Sequence, residues 1–223
     1  MNHRFLFCAA AAAVLTANAA GPIVRPEVGN GKPRELMIEA NRPEDLNRLP
    51  TEPATVTFTG TPEEIRIVAD MTDADVLSES ASDQTPLQKT GDAVQIFISP
   101  ENDTRMWELL VDAANRKSCF FHWGPGRMFY PPATDAPPVK ITAVAVKTAA
   151  GWKAEVRFPA AAVVKQYNLP ADVKWTVMAV RYNYGRNLDR REISCFPQAV
   201  RTLSDPARFA RLTDGGKETE TAR

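Results

Sequence analysis

Between Ala54 and Leu212 the chain is a succession of short segments in which apolar and polar residues alternate, and almost nowhere does an apolar residue recur at helical spacing. The clearest is Trp152-Lys-Ala-Glu-Val-Arg-Phe158. Trp, Ala, Val and Phe fall on one side, and Lys153, Glu155 and Arg157 on the other, the two-residue period of a half-buried strand. Ala149-Ala150-Gly151 before it marks a hairpin turn. Ala54 to Thr59 and Glu64 to Asp70 are β-branched runs joined by Gly60-Thr61-Pro62. Val94 to Ser99 follows Gly91-Asp92 and stops at Pro100. Met106 to Asp112, Ser118 to Trp123, Val139 to Lys147 and Lys174 to Tyr184 complete a set of about eight or nine strands. One helix is predicted, Pro159 to Tyr167, with proline at its start and Val163, Val164 and Tyr167 on one side. Asp205-Pro206-Ala207-Arg208 predicts a capped single turn. Without βαβ alternation a nucleotide-binding parallel sheet is excluded. The fold class that remains is all-β, an antiparallel, jelly-roll-like β-sandwich with one short crossover helix.

The ends read differently. Residues 1–19 have the features of a secretory signal peptide: Arg4, the apolar run Phe5 to Leu15, and Ala17-Asn18-Ala19 as the cleavage pattern. That run is too short to span a bilayer, and no later segment is apolar for long enough to do so. The expected location is secreted or periplasmic. Residues 20–53 form a proline-rich lead-in with room for a strand or two, Leu36-Met37-Ile38 being the best placed. The sandwich is expected over 54–212 and a disordered tail over 213–223. The whole chain carries 27 basic and 27 acidic residues. It therefore has no basic footprint for nucleic acid and no polybasic membrane patch.

Maturation would leave His122 as the sole histidine, which excludes most His-pair metal sites and counts against a general-base triad. Cys119 and His122 have a metal-like spacing. On a strand, however, they point to opposite faces, so the expectation is one core residue and one surface residue. Cys119 and Cys195 would be the two cysteines of the mature chain, either disulfide-bonded or two buried thiols. Asp70-Met-Thr-Asp73-Ala-Asp75 is an acidic loop of the kind that can hold calcium with backbone carbonyls, against the ordinary alternative of a solvated turn. No carboxylate pair stands out as a glycosidase pair, and no nucleophile motif is present, so the chain is not read as an enzyme.

The aromatic residues exceed what one inner face can absorb. Trp123-Gly-Pro-Gly-Arg127-Met-Phe129-Tyr130 and Arg181-Tyr182-Asn183-Tyr184-Gly-Arg186-Asn187 combine rings with groups that bond hydroxyls. A flat ring suits the apolar face of a pyranose, and Arg or Asn suits its edge. The candidate ligand groups are therefore Trp123, Tyr130, Tyr184 and Phe196 for stacking, with Arg127, Arg181, Asn183 and Arg186 for orientation, gathered at one rim of the sandwich.

Gly91-Asp92-Ala-Val-Gln-Ile-Phe-Ile-Ser-Pro100, Trp107-Glu-Leu-Leu-Val-Asp112, Gly151-Trp-Lys-Ala-Glu-Val-Arg-Phe-Pro159, Arg191-Glu-Ile-Ser194 and Asp205-Pro-Ala-Arg-Phe-Ala-Arg-Leu212, in that order, resemble the family 9-like carbohydrate-binding domains. That superfamily of β-sandwiches includes sugar- and haem-binding members found outside the cytoplasm. The resemblance implies a non-catalytic carbohydrate-binding domain. It also implies two alternatives: a structural or protein-binding sandwich with a decayed sugar site, and a haem-binding domain. Sugar-binding members grip their ligand between two tryptophans, helped by a glutamate after the Gly-Asp turn. The corresponding places here are Leu87 to Lys89, Cys195 and Gln95, so the clamp is not carried over, although Gln95 can still bond a hydroxyl. For haem, Met106, Met128, Met178 and His122 are the available axial ligands.

Overall fold

Strands that alternate cleanly need one wet face, and strands that do not must be covered on both; the two sheets of this chain divide along that line. The computed structural model describes residues 27–29, 33–35, 37–38, 50–123, 128–129, 139–185, 191–197, 203 and 205–213, with the backbone alone described before residue 50 and at 128–129. The short strands β1 (Glu27–Gly29), β2 (Pro33–Glu35) and β3 (Met37–Ile38) precede the main body. β4 (Ala54–Gly60), β5 (Ile65–Thr72), β6 (Ala93–Pro100), β7 (Arg105–Asp112), β8 (Lys117–Trp123) and β9 (Met128–Phe129) follow. After them come β10 (Thr142–Thr148), β11 (Gly151–Phe158), helix α1 (Ala160–Gln166), β12 (Trp175–Asn183), β13 (Glu192–Phe196) and β14 (Ala210–Thr213). The smaller sheet runs β10-β11-β5-β4-β2. The larger runs β1-β14-β12-β6-β7-β8-β9, and β13, flanked by β3, shares the β14 edge of β12. Among the described residues all pairings are antiparallel except β1 on β14. The fold is an all-β sandwich with one short α-helix among the described residues.

β4, β5 and β11 show the alternation that their sequences announce, with every second residue buried. Trp152, Ala154, Val156 and Phe158 meet Val94, Ile96, Trp107 and Leu109 of the facing sheet in one core. On the outside of the smaller sheet Lys153 pairs with Asp70, and Arg66 and Arg157 share Glu155. β6, β7 and β12 are buried along nearly their whole length. Their second face carries its own apolar group, Phe97, Met106, Met178, Val180, Ile193, Cys195 and Phe209. The outer face of the larger sheet is therefore a covered layer, where an antiparallel sheet more commonly meets water.

The predicted helix and the capped turn are present. Val163 is buried, Val164 and Tyr167 pack on the core, and Asp205 accepts from the Ala207 amide at 3.1 Å to open the turn Pro206–Arg208. Five short strands escaped the sequence reading: β1 and β2 in the lead-in, then β9, β13 and β14. Each is only two to five residues long, too short for a period to show. The expected leader 1–19 and residues 214–223 lie outside the described residues. Among the described residues no helix is long and apolar enough to cross a membrane.

Of the two alternatives open for the cysteines, the structure shows two buried thiols: neither Cys119 nor Cys195 is in a disulfide. Cys119 belongs to the core between the sheets and Cys195 to the apolar group on the far side of the larger sheet, with β12, β6 and β7 between their strands. No disulfide can pass through a sheet. Burial raises the Cys119 thiol to about 12, which suppresses the reactive thiolate.

Candidate functional site

The covered outer face of the larger sheet holds a row of polar side chains that crosses four adjacent strands. Tyr182 on β12 donates its hydroxyl to Gln95 Oε1 on β6 at 2.8 Å. Gln95 Nε2 donates to Glu108 Oε1 on β7 at 2.5 Å. His122 Nε2 on β8 lies 2.6 Å from Glu108 Oε2, and because a carboxylate only accepts, the ring carries its proton there. All four side chains are 3–5% exposed. They line up because each sits at an outward position in the register, with Phe97, Met106, Met178 and Val180 between them. Gln95 keeps its second N–H and His122 its Nδ1 beyond these bonds. Such a row suits a ligand rich in hydroxyls.

One end of the row is half-exposed. Arg191 lies over the Tyr182 ring, with Cζ 5.2 Å from its centroid and 5.6 Å from that of Tyr184. Its Nη1 donates to the Tyr184 hydroxyl at 2.9 Å and to the Gln88 carbonyl at 3.2 Å. Tyr184 in turn donates to the Gln88 carbonyl at 2.7 Å. Gln88 belongs to a single 3₁₀ turn, Leu87–Lys89. All three positions that the family resemblance singles out thus come to this one face: Leu87–Lys89 at the end of the row, Gln95 inside it, and Cys195 in the apolar group beside it.

The remaining candidates separate. Arg181 and Asn183 point inward, between the sheets, and each is 1% exposed. Arg181 Nη1 donates to the Glu52 and Pro53 carbonyls at 2.6 and 3.3 Å, and Nη2 to the Thr72 carbonyl at 2.6 Å. Its Nη2 also lies 3.5 Å from Asp73 Oδ2. Asn183 donates to Glu52 Oε2 at 2.9 Å. These two side chains tie the sheets together and cannot orient a surface ligand, because both are buried between the sheets. Phe196 packs against the core. Trp123 is 60% exposed, stacked edge-on to Phe121, at the β8 end that pairs with Arg105. Tyr184 follows the opposite end of β12, roughly 30 Å away along the strands. The expected single rim of rings and guanidinium groups does not form from these residues. Arg127, Tyr130 and Arg186 lie outside the described residues.

His122 is buried at 3%, not the surface residue that its spacing from Cys119 suggested. Sequence reasoning also gave Glu108 and Arg191 no role. The available signal was a charged residue in the middle of an apolar strand, Met-Trp-Glu-Leu-Leu, since a buried carboxylate must have partners. As for a haem, Met106 and His122 are directly opposed on neighbouring strands. They point to the same side, whereas axial ligands must face one another across the macrocycle, so this pair does not fit. The acidic loop does not converge either: Asp70 pairs with Lys153 outside and Asp73 is buried against Arg181. Among the described residues no three His, Cys, Asp or Glu side chains cluster as metal ligands.

Asp92 fixes the half-exposed end of the site. It is fully buried, accepts from the Leu77 amide at 2.5 Å, and accepts from the Tyr184 amide at 2.6 Å. Burial raises its pKa to about 7 from the ordinary 3.8, and outweighs the two amides and Arg181, which lower it. Asp73, also raised by burial, acts in the same direction. A carboxyl whose folded pKa is raised contributes stability fully present below its ordinary value and lost as pH rises through the folded value. Denaturant midpoints should therefore fall between about pH 4 and pH 7, and Asp92→Asn should flatten that slope. An unchanged slope in the variant would show that Asp92 does not titrate there.

The architecture and the register of its outer face define the class of fold: that of the family 9 carbohydrate-binding modules. Two such modules from Caldicellulosiruptor kristjanssonii superpose on the chain. One, in complex with cellotriose, has a TM-score of 0.54 at 12% identity over 90% of this chain and 98% of that one. The other, in complex with glucose, has a TM-score of 0.55 at 12% identity over 88% and 98%. A candidate carbohydrate-binding protein from Bacteroides uniformis superposes with a TM-score of 0.60 at 16% identity over 82% of this chain and 85% of that one. At these identities the likeness is one of fold. No family model matches the sequence, and no curated protein matches it at a significant level.

Proposed function

We propose that this chain is a non-catalytic carbohydrate-binding domain that works outside the cytoplasm, secreted or periplasmic, and that its ligand lies on the outer face of the larger sheet. One observation carries the reading. The three positions corresponding to the family's sugar grip meet on that face beside the row Tyr182, Gln95, Glu108 and His122. A carboxylate next to the amide at Gln95 supplies, from the neighbouring strand, the acceptor that the family draws from the Gln95 position. Tyr184 offers the stacking ring at the half-exposed end, and the amide, phenol and imidazole order hydroxyls. The solved modules with cellotriose and glucose supply the ligand class by analogy of fold.

A second reading, a structural or protein-binding sandwich with a decayed sugar site, has one observation in its favour: the row is buried and its members bond one another. A glycan array followed by calorimetry on the mature protein separates the two. The first reading expects binding to at least one glycan. It also expects Tyr184→Ala and Gln95→Ala to weaken that binding about tenfold or more, as lost stacking and lost hydrogen bonds do. Lys153→Ala, on the far side of the other sheet, should leave it unchanged. An array without hits, or equal behaviour of all three variants, supports the second reading.

A further inference from the structure

We infer that the site is built for an acidic sugar, with Arg191 as the residue that recognises its carboxylate; this rests on the carbohydrate reading above. Among the described side chains the other arginines, Arg116 apart, are paired with carboxylates: Arg66, Arg105, Arg157, Arg181, Arg208 and Arg211. Arg116 is exposed on a turn. Arg191 differs from all of them. It is half-buried, lies over two tyrosine rings, and faces no carboxylate among the described residues. Its neighbour Glu192 is turned to Thr51, accepting from that amide at 3.0 and 3.1 Å and from its hydroxyl at 2.9 Å. Only Nη1 is engaged by the described residues, with the Tyr184 hydroxyl and the Gln88 carbonyl.

That arrangement fixes the guanidinium plane while leaving Nε and Nη2 without an acceptor among the described residues. The Nε–Nη2 edge is the fork that grips a carboxylate with two parallel hydrogen bonds. Stacking on two rings holds the fork in place without a protein anion, so the charge stays available to a ligand. The carboxylate of the site itself, Glu108, is separated from Arg191 by Tyr182 and Gln95, and both of its oxygens are occupied. It does not compete for the fork. A uronic acid residue fits this end: its ring lies against Tyr184, its carboxylate meets Arg191, and its hydroxyls face the row.

The test compares trigalacturonate with cellotriose by calorimetry on the mature protein, at low and high salt. We expect trigalacturonate to bind about tenfold or more tightly, as a charge-assisted bidentate contact provides, with a preference that shrinks in salt. Arg191→Gln should erase the preference, and Arg191→Lys should keep the charge and recover part of it. Thermal unfolding of both variants checks that the fold survives. Equal affinity for the two oligosaccharides, or a preference that persists in folded Arg191→Gln, overturns the acidic-sugar inference and leaves the carbohydrate reading standing. Failure of both oligosaccharides and of every glycan on the array overturns the two together.

Discussion

Gly151→Ala should destabilise the protein by about 3 kcal/mol or more, enough to unfold a marginal domain at ordinary temperature. Gly151 opens β11 with φ at +149°, and a Cβ there would stand 2.2 Å from the Met71 carbonyl oxygen and 2.6 Å from the Asp73 amide nitrogen. Both obstacles are backbone, so no side chain can swing aside. Relief would require the hairpin to part from β5, whose last residues pair with Gly151 and Trp152. It would also break the bond from the Asp73 amide to the Ala150 carbonyl. Urea denaturation read by tryptophan fluorescence measures the effect. A midpoint within experimental error of the parent would show that this approach of the two strands is looser than described.

Arg181→Ala should cost about 3 to 5 kcal/mol, the usual result of removing one partner of a buried ionic cluster. The side chain supplies donors to three backbone carbonyls of the facing segments and stands beside Asp73 and Glu52. Without it, Asp73 Oδ2 loses its cation and the carbonyls of Glu52 and Thr72 lose this donor, while that of Pro53 keeps the Thr72 amide. Its own charge is unfavourable inside the protein, for burial lowers the guanidinium pKa while the surrounding carboxylates raise it. Adding Asp73→Asn should recover part of the loss, and a double-mutant cycle gives the coupling between the two. The alternative outcome is as informative. If Arg181→Ala folds with parental stability and loses glycan binding, Arg181 faces the ligand and its inward placement is wrong.

Arg181 also illustrates what a linear sequence can convey about this fold. An arginine among Tyr, Asn and Tyr at a strand end has the composition of a ligand site, and nothing local distinguishes it from a clamp between sheets. The distinction depends on which carbonyls converge on it, and those belong to residues more than a hundred positions away. Trp123 and Tyr184 make the same point: both sit in promising aromatic segments, yet register sends them to opposite ends of the larger sheet. Glu108 and His122 were legible only as an anomaly, polar residues in apolar strands, because the bond between them joins separate strands.

The sequence by itself determined the sandwich. Period-two alternation in β4, β5 and β11, turn residues between the strands and one proline-led helix admit little else, because backbone hydrogen bonding and burial of one face act residue by residue along the chain. It also placed Gly91-Asp92 and Gly151 at their turns. Only the tertiary structure decided which face of the larger sheet is covered, that the two cysteines lie on opposite sides of it, and that four polar side chains from four strands form one row. Those outcomes follow from strand order and register, which bring distant residues within hydrogen-bonding distance, and neither is written in the local alternation of any single strand.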